Sequence, residues 1–166
     1  AVTGDMSDPP PLNGIAGEFD LIWSESAIYS IGRSSAYAQW LPLLKPGGWL
    51  VFSDIVWQSE PESRSDKASK FWLKEYPDIT SAVDVINELA AAGFNPLTPV
   101  LASSQAWSNY YEPLRDRIYQ LAKHGDLTPA IGTVIAEFEQ EIDIYDTAGN
   151  EVALAFFLAQ RDTIPG

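Results

Sequence analysis

Apolar positions along the chain form short unbroken runs that exchange with segments spaced three and four apart. That mixture is expected of strands alternating with amphipathic helices. Residues 19–24, FDLIWS, are the first such run after Gly17 and predict a buried strand. Tyr37, Trp40, Leu41 and Leu44 then fall at i, i+3, i+4 and i+7, with Ser34 placed to cap that helix. Pro42 kinks the helix or ends it early, and Lys45-Pro46-Gly47-Gly48 supplies its stop. A second buried strand is expected at 49–52. Strand, helix, strand at this spacing predicts a βαβ unit, with parallel pairing and a right-handed crossover.

Residues 58–65 are polar, contain Pro61 and read as a loop. Asp66 opens a helix carrying Phe71, Trp72 and Tyr76, ended by Pro77. The next helix starts near Thr80, places Val83, Ile86, Leu89 and Ala90 on one side, and stops at Gly93. Residues 100–101 make a brief strand. Pro113 falls near the first turn of a helix with Leu114, Ile118, Leu121 and Ala122. A longer helix follows, its face set by Ile131, Val134, Ile135, Phe138, Ile142 and Tyr145. Residues 147–150 turn into the last and most hydrophobic strand, 152–160. No repeat or internal linker interrupts this order, which predicts a three-layer α/β fold.

Charge narrows the partners. The 166 residues hold 10 Lys+Arg against 23 Asp+Glu, a formal charge of −13. Such a surface repels phosphate backbones and anionic membranes, so neither nucleic acid nor membrane is expected as a partner. Arg115, Arg117, Lys123 and His124 come nearest to a basic patch, and acidic residues surround them. The run 152–159 is too short to span a bilayer, and residues 1–10 do not read as an export signal. With no Cys, disulfides, thiol nucleophiles and Cys-ligated zinc all drop out, in keeping with a reducing cytoplasm. His124 is the only imidazole and reads as a surface residue before Gly125-Asp126. Asp66, Asp78 and Asp84 are too scattered to specify magnesium, so no metal site is expected.

Four fragments, in order, carry a family likeness. These are Gly4-Asp5-Met6 with Pro9 to Pro11 following, Phe19-Asp20-Leu21-Ile22, Leu44-Lys45-Pro46-Gly47-Gly48-Trp49-Leu50, and Phe156-Phe157. They resemble the third, fourth, fifth and antiparallel seventh strands of class I S-adenosylmethionine-dependent methyltransferases. Two further segments, Trp23-Ser24-Glu25-Ser26-Ala27-Ile28-Tyr29-Ser30-Ile31-Gly32 and Trp107-Ser108-Asn109-Tyr110-Tyr111-Glu112-Pro113-Leu114, are similar to the small-molecule subgroup. The resemblance implies a Rossmann-like, mostly parallel sheet with a terminal antiparallel strand. It also implies S-adenosyl-L-methionine as cofactor and a small-molecule methyl acceptor. The family's Gly-rich cofactor turn and its ribose-binding acid have no counterpart here, and Gly14 and Gly17 lack the strand-turn-helix setting to replace them. Residues 1–166 therefore read as the C-terminal two thirds of a methyltransferase domain. On that reading strand 19–24 exposes an edge that an oligomer or other partner would cover. The alternative is an inactive or partner-completed methyltransferase-like interaction module.

Candidate site residues follow from the same alignment of fragments. Gly4, Asp5, Met6 and Ser24 are the cofactor candidates. The resemblance gives Asp5 the adenine amino group and the next backbone amide a ring nitrogen, while Gly4 permits close passage. The plain reading of Asp5 is a solvent-facing turn. Ser24 and Glu25 fall at the exit of a strand, where open α/β sheets collect ligands. Glu25 could orient an acceptor or favour a cationic sulfonium; otherwise it is a helix-cap or surface carboxylate. Asp54 is a second candidate at the sheet mouth, and Asp20 is expected to satisfy backbone amides instead. The rings of Tyr29, Trp57, Trp72, Trp107, Tyr110 and Tyr111, on loops and helix starts, could wall an acceptor pocket. Tyr29, Tyr110 and Tyr111 are the substrate-binding candidates with Glu25. Being adjacent, Tyr110 and Tyr111 point to different faces, so one reaches a pocket while the other packs. Methyl transfer needs alignment and desolvation more than a catalytic triad.

Overall fold

The computed structural model describes residues 3–6, 17, 19–125 and 128–163; Pro9 to Pro11 and Gly14 lie outside them. Strands β1 (Phe19–Ser24), β2 (Leu44–Trp57), β3 (Phe94–Pro96), β4 (Val100–Leu101) and β5 (Val152–Arg161) form one sheet. Its order is β1-β2-β5-β3, with β4 also on β5. β1 and β2 run parallel, Ile22 opposite Leu50 and Ser24 opposite Phe52, as the βαβ reading requires. β5 is antiparallel to β2, from Trp49 opposite Gln160 to Trp57 opposite Val152.

The second strand is far longer than 49–52. Lys45-Pro46-Gly47-Gly48 is not a helix stop but an excursion inside β2: Phe19 pairs with Leu44, and Leu21 already pairs with Trp49. Gly48 makes this possible, because a Cβ there would lie 2.9 Å from the Phe19 carbonyl oxygen and 3.0 Å from that of Lys45. The helix before it, α1 (Arg33–Trp40), starts two residues earlier than a cap at Ser34 predicts. Its N-cap is Gly32, at φ +79°, and Ser34 sits in the first turn. Pro42, without an N–H, ends the helix early. Leu41–Leu43 tightens into a 3₁₀ turn, and Leu44 joins the sheet instead of the helix.

Ser65 caps α2 (Asp66–Glu75), accepting from the Ala68 amide. Ser81 does the same for α3 (Ala82–Ala91) through Asp84. On α3 it is Val85 and Leu89 that are buried, while Val83 is exposed. β3 has no counterpart among the predicted strands. It shares the far side of β5 with β4, and Pro96 and Pro99 are tolerated because this is a sheet edge. Pro113 is interior to α4 (Ser104–His124), not in a first turn. The half-helix ahead of it is held by Tyr111, which stacks on Tyr145 of α5 (Pro129–Ala148), and by Trp107, which stacks on Tyr111 and tilts against Tyr145. Tertiary packing offsets the proline's local cost.

Successive residues of the central strands feed two cores. Leu50, Phe52 and Val56, with Ala155 and Phe157, pack against Tyr37 and Trp40 of α1 and Leu89 of α3. Trp57 and Val152 face the other way, against Phe71 and Trp72 of α2 and Ile144 of α5. Helices on both faces give the three layers. Among the described residues, no helix is long and apolar enough to cross a membrane.

Candidate active site

β1 and β2 open at their carboxyl ends into the loop between β1 and α1. Ser24 closes β1 and is buried, and its Oγ has no hydrogen-bond partner among the described residues. Two residues later Ser26 adopts φ +48°, unusual for a non-glycine residue. It is fastened there to β2, its amide donating to Ser53 Oγ at 2.9 Å and the two hydroxyls lying 3.3 Å apart. The loop is thereby folded over the mouth of β2, beside Asp54.

Asp54 is only 3% exposed. Its Oδ2 accepts from Arg33 Nη1 at 3.1 Å and from the Tyr76 hydroxyl at 2.6 Å, while Oδ1 accepts from the Ile55 amide at 3.0 Å. The same guanidinium forks onto Glu88, Nε to Oε2 at 2.7 Å and Nη2 to Oε1 at 3.2 Å, and donates to the Asp78 carbonyl at 2.8 Å. Burial opposes the charge on Arg33, but Glu88, Tyr76 and Asp54 together hold it protonated far above its ordinary range. Burial pushes the Asp54 carboxyl up, more than the Tyr76 and Arg33 bonds pull it down. The Tyr76 phenol is pushed up by burial and then by Asp54. One arginine thus ties α1, β2, α3 and the segment following α2 into a single knot.

Beside the knot lies a cavity of about 640 Å³. Asp54 and Ile55 line it from β2, Ser26 and Tyr29 from the loop between β1 and α1, Trp72 and Tyr76 from α2 and its end, Trp107 and Tyr110 from α4, and Glu137 and Glu141 from α5. Tyr29 meets Tyr76 edge-on, centroids 6.0 Å apart. Tyr110 is half-exposed and reaches the cavity. Tyr111 is buried behind it, stacked on Tyr145 at 4.3 Å, and donates to Glu141 Oε1 at 3.0 Å. Burial pushes the Glu141 carboxyl up; the Tyr111 bond opposes this, and Glu75 adds to it.

Of the predicted site residues, Tyr29 and Tyr110 meet at this cavity and Asp54 joins them. Tyr111 supports its wall from behind. Ser24 is buried at the end of β1, and Glu25 is exposed outside the lining. Gly4 and Asp5 are exposed, Asp5 pairing as a one-residue β-bridge, and Met6 packs against the α1–α3 core. None of these three lines the cavity. Trp57 is core, with the Arg64 guanidinium 4.4 Å from its ring centroid. Among the described residues Asp20 accepts from no backbone amide, contrary to expectation. It pairs with Lys45 at 2.8 Å on the surface. Trp107, Tyr110 and Tyr111 lie on a helix rather than in a loop. The side chain of His124 lies outside the described residues.

Sequence reading misses Arg33, Tyr76, Glu88 and Glu141. Arg33 meets its partners from 21 to 55 residues away, and no local pattern announces that. Glu141 does leave a trace: it interrupts the apolar face Phe138, Ile142, Tyr145 with a carboxylate.

No protein-family description and no curated protein matches the chain. Solved structures do match. The cyclase SpnF aligns with TM-score 0.69 and 22% identity, over 98% of this chain and 56% of that one. A SAM-dependent methyltransferase from Thiobacillus denitrificans, in complex with S-adenosyl-L-homocysteine, gives 0.71 and 16%, over 95% and 62%. Phosphoethanolamine N-methyltransferase 2 from Haemonchus contortus, in complex with S-adenosyl-L-methionine, gives 0.66 and 14%, over 89% and 34%. The chain spans between 34% and 62% of the length of these structures. Together they show the fold: part of the Rossmann-like class I methyltransferase architecture, a mixed sheet flanked by helices, as the fragments predict.

Proposed function

We propose that the protein transfers a methyl group from S-adenosyl-L-methionine to a small-molecule acceptor held in the 640 Å³ cavity. The observation that carries this reading is position. The cavity opens at the carboxyl ends of parallel β1 and β2, where open α/β sheets take their ligands. Two of the three structures named above are complexes with S-adenosyl-L-methionine or its demethylated product.

The residues present fit the nucleoside side of such a cofactor. Ser24 keeps a buried hydroxyl with no partner among the described residues at the strand exit, and Gly4-Asp5-Met6 is the segment that the resemblance assigns to adenine. When bound, the cofactor supplies an electrophilic methyl on a sulfonium. The chain's part is to align and desolvate the acceptor. Tyr29, Trp107 and Tyr110 exclude water, and the Arg33–Asp54–Tyr76 knot fixes the wall they face. On this reading residues 1–166, which hold no cysteine, carry the acceptor side of the domain in a cytoplasmic enzyme.

Calorimetric titration with S-adenosylmethionine and S-adenosylhomocysteine, on the protein expressed from its natural start, tests the reading. Saturable binding is expected, weakened about tenfold or more by Asp5→Ala. No saturable binding of either ligand would end it.

A second reading, a module completed by a partner, draws on β1. That strand stands at one end of the sheet order, with Trp23 60% and Leu21 48% exposed. Light scattering decides whether another chain covers it: a monomeric mass that holds at high concentration removes self-association.

A further inference from the structure

We propose that the cavity selects an acceptor bearing an organic ammonium group; this rests on the methyl-transfer reading and adds the charge class of its substrate. Glu75, Glu137 and Glu141 all line the cavity, against a single lysine, Lys74, which is already paired with Glu75. The fourth carboxylate, Asp54, is balanced by Arg33. Glu141 is different. It is half-buried, receives one hydrogen bond from a neutral phenol, and has no salt-bridge partner among the described residues. A partly desolvated carboxylate without a counter-charge is unfavourable, and a cation entering the cavity relieves it.

The aromatic walls point to the same ligand. Tyr29, Trp107 and Tyr110 are cavity residues whose rings carry electron-rich faces, which attract alkylammonium groups while their edges pack apolar substituents. An anionic ligand would face Glu137 and Glu141, neither in an ion pair among the described residues, and a neutral one would leave Glu141 as it is. The formal charge of −13 also raises the local concentration of cations near the mouth.

Titration of the protein, without cofactor, with phenylpropylamine, phenylpropanol and phenylpropanoate compares a cation, a neutral molecule and an anion of one shape. The amine is expected to saturate about tenfold more tightly than the alcohol, with the anion weakest. Glu141→Gln should remove most of that preference while leaving the alcohol's affinity unchanged, and Glu137→Gln, at an exposed position, should remove less. Equal affinity for amine and alcohol, failure of all three to saturate, or a preference that survives Glu141→Gln in a protein of normal melting behaviour would each overturn the proposal. Parallel titration with S-adenosylhomocysteine separates the two ideas. Amine preference without homocysteine-ligand binding sinks methyl transfer alone, and the converse sinks the charge class alone.

Discussion

Asp54 and Glu141 present carboxylates to one cavity, the first from a strand and the second from a helix, and their surroundings could hardly differ more. Asp54 receives an arginine, a phenol and a backbone amide, and Arg33 is in turn shared with Glu88 and the Asp78 carbonyl. Glu141 receives the Tyr111 hydroxyl and no cation among the described residues. In both, burial raises the carboxyl above its ordinary range, but among the described residues only Asp54 is met by a cation. A carboxylate satisfied on every side is a strut. One left short of positive charge at a cavity wall is available for recognition. The contrast separates scaffold from site more sharply than burial alone.

The contrast breaks most visibly at Arg33. Arg33→Met leaves Asp54 and Glu88 without their shared cation, and we expect a loss of about 3–5 kcal/mol in urea unfolding at neutral pH. Since burial already raises the Asp54 carboxyl, the loss should shrink in mild acid, where that group can take up a proton. Arg33→Lys should recover only part, because one ammonium cannot span Glu88, Asp54 and the Asp78 carbonyl together. A neutral-pH loss no larger than that of a surface substitution would mean the knot is not a strut.

A smaller effect is expected at Tyr76. Tyr76→Phe removes the hydroxyl donated to Asp54 but keeps the ring against Tyr29, and should cost about 1–2 kcal/mol by the same measurement. Unchanged stability would show that Arg33 and the Ile55 amide satisfy Asp54 unaided.

The smallest effect has the opposite sign. A carboxyl raised in the folded state contributes stability that is fully present below its unfolded value and is lost as pH rises through its folded value. Glu141 is such a group, so Glu141→Gln should leave the unfolding free energy unchanged near pH 3.5 and raise it near pH 7 by less than about 1 kcal/mol, with a matching rise in melting temperature. A lowered melting temperature at pH 7 would show that the Tyr111 bond outweighs the unpaired charge. Glu141 would then be a second strut.

Much of the frame was legible in the chain before any contact was known. The run FDLIWS, the helix around Tyr37 and Trp40, and the strand after Gly48 gave a parallel βαβ unit because their periods are set by the geometry of each element. The boundaries were less legible. Lys45-Pro46-Gly47-Gly48 carries every sign of a helix stop, and only pairing with Phe19 shows it to be an excursion within β2. Pro113 reads as a helix start until Tyr145 is seen stacked on Tyr111. Tyr29, Tyr110 and Asp54 were legible as candidates because strand exits collect ligands and aromatic pairs split between faces. Their common cavity was not.

Periodicity, turn residues and charge are properties of neighbours in sequence. By themselves they determined a three-layer α/β frame with a parallel βαβ unit and an acidic surface. Which carboxylate is neutralised and which is left open depends on residues brought together from 21, 22, 30 and 55 positions away. Tertiary structure decided that, because the cost of a charge depends on burial and on partners within a few ångströms, and no local pattern encodes either.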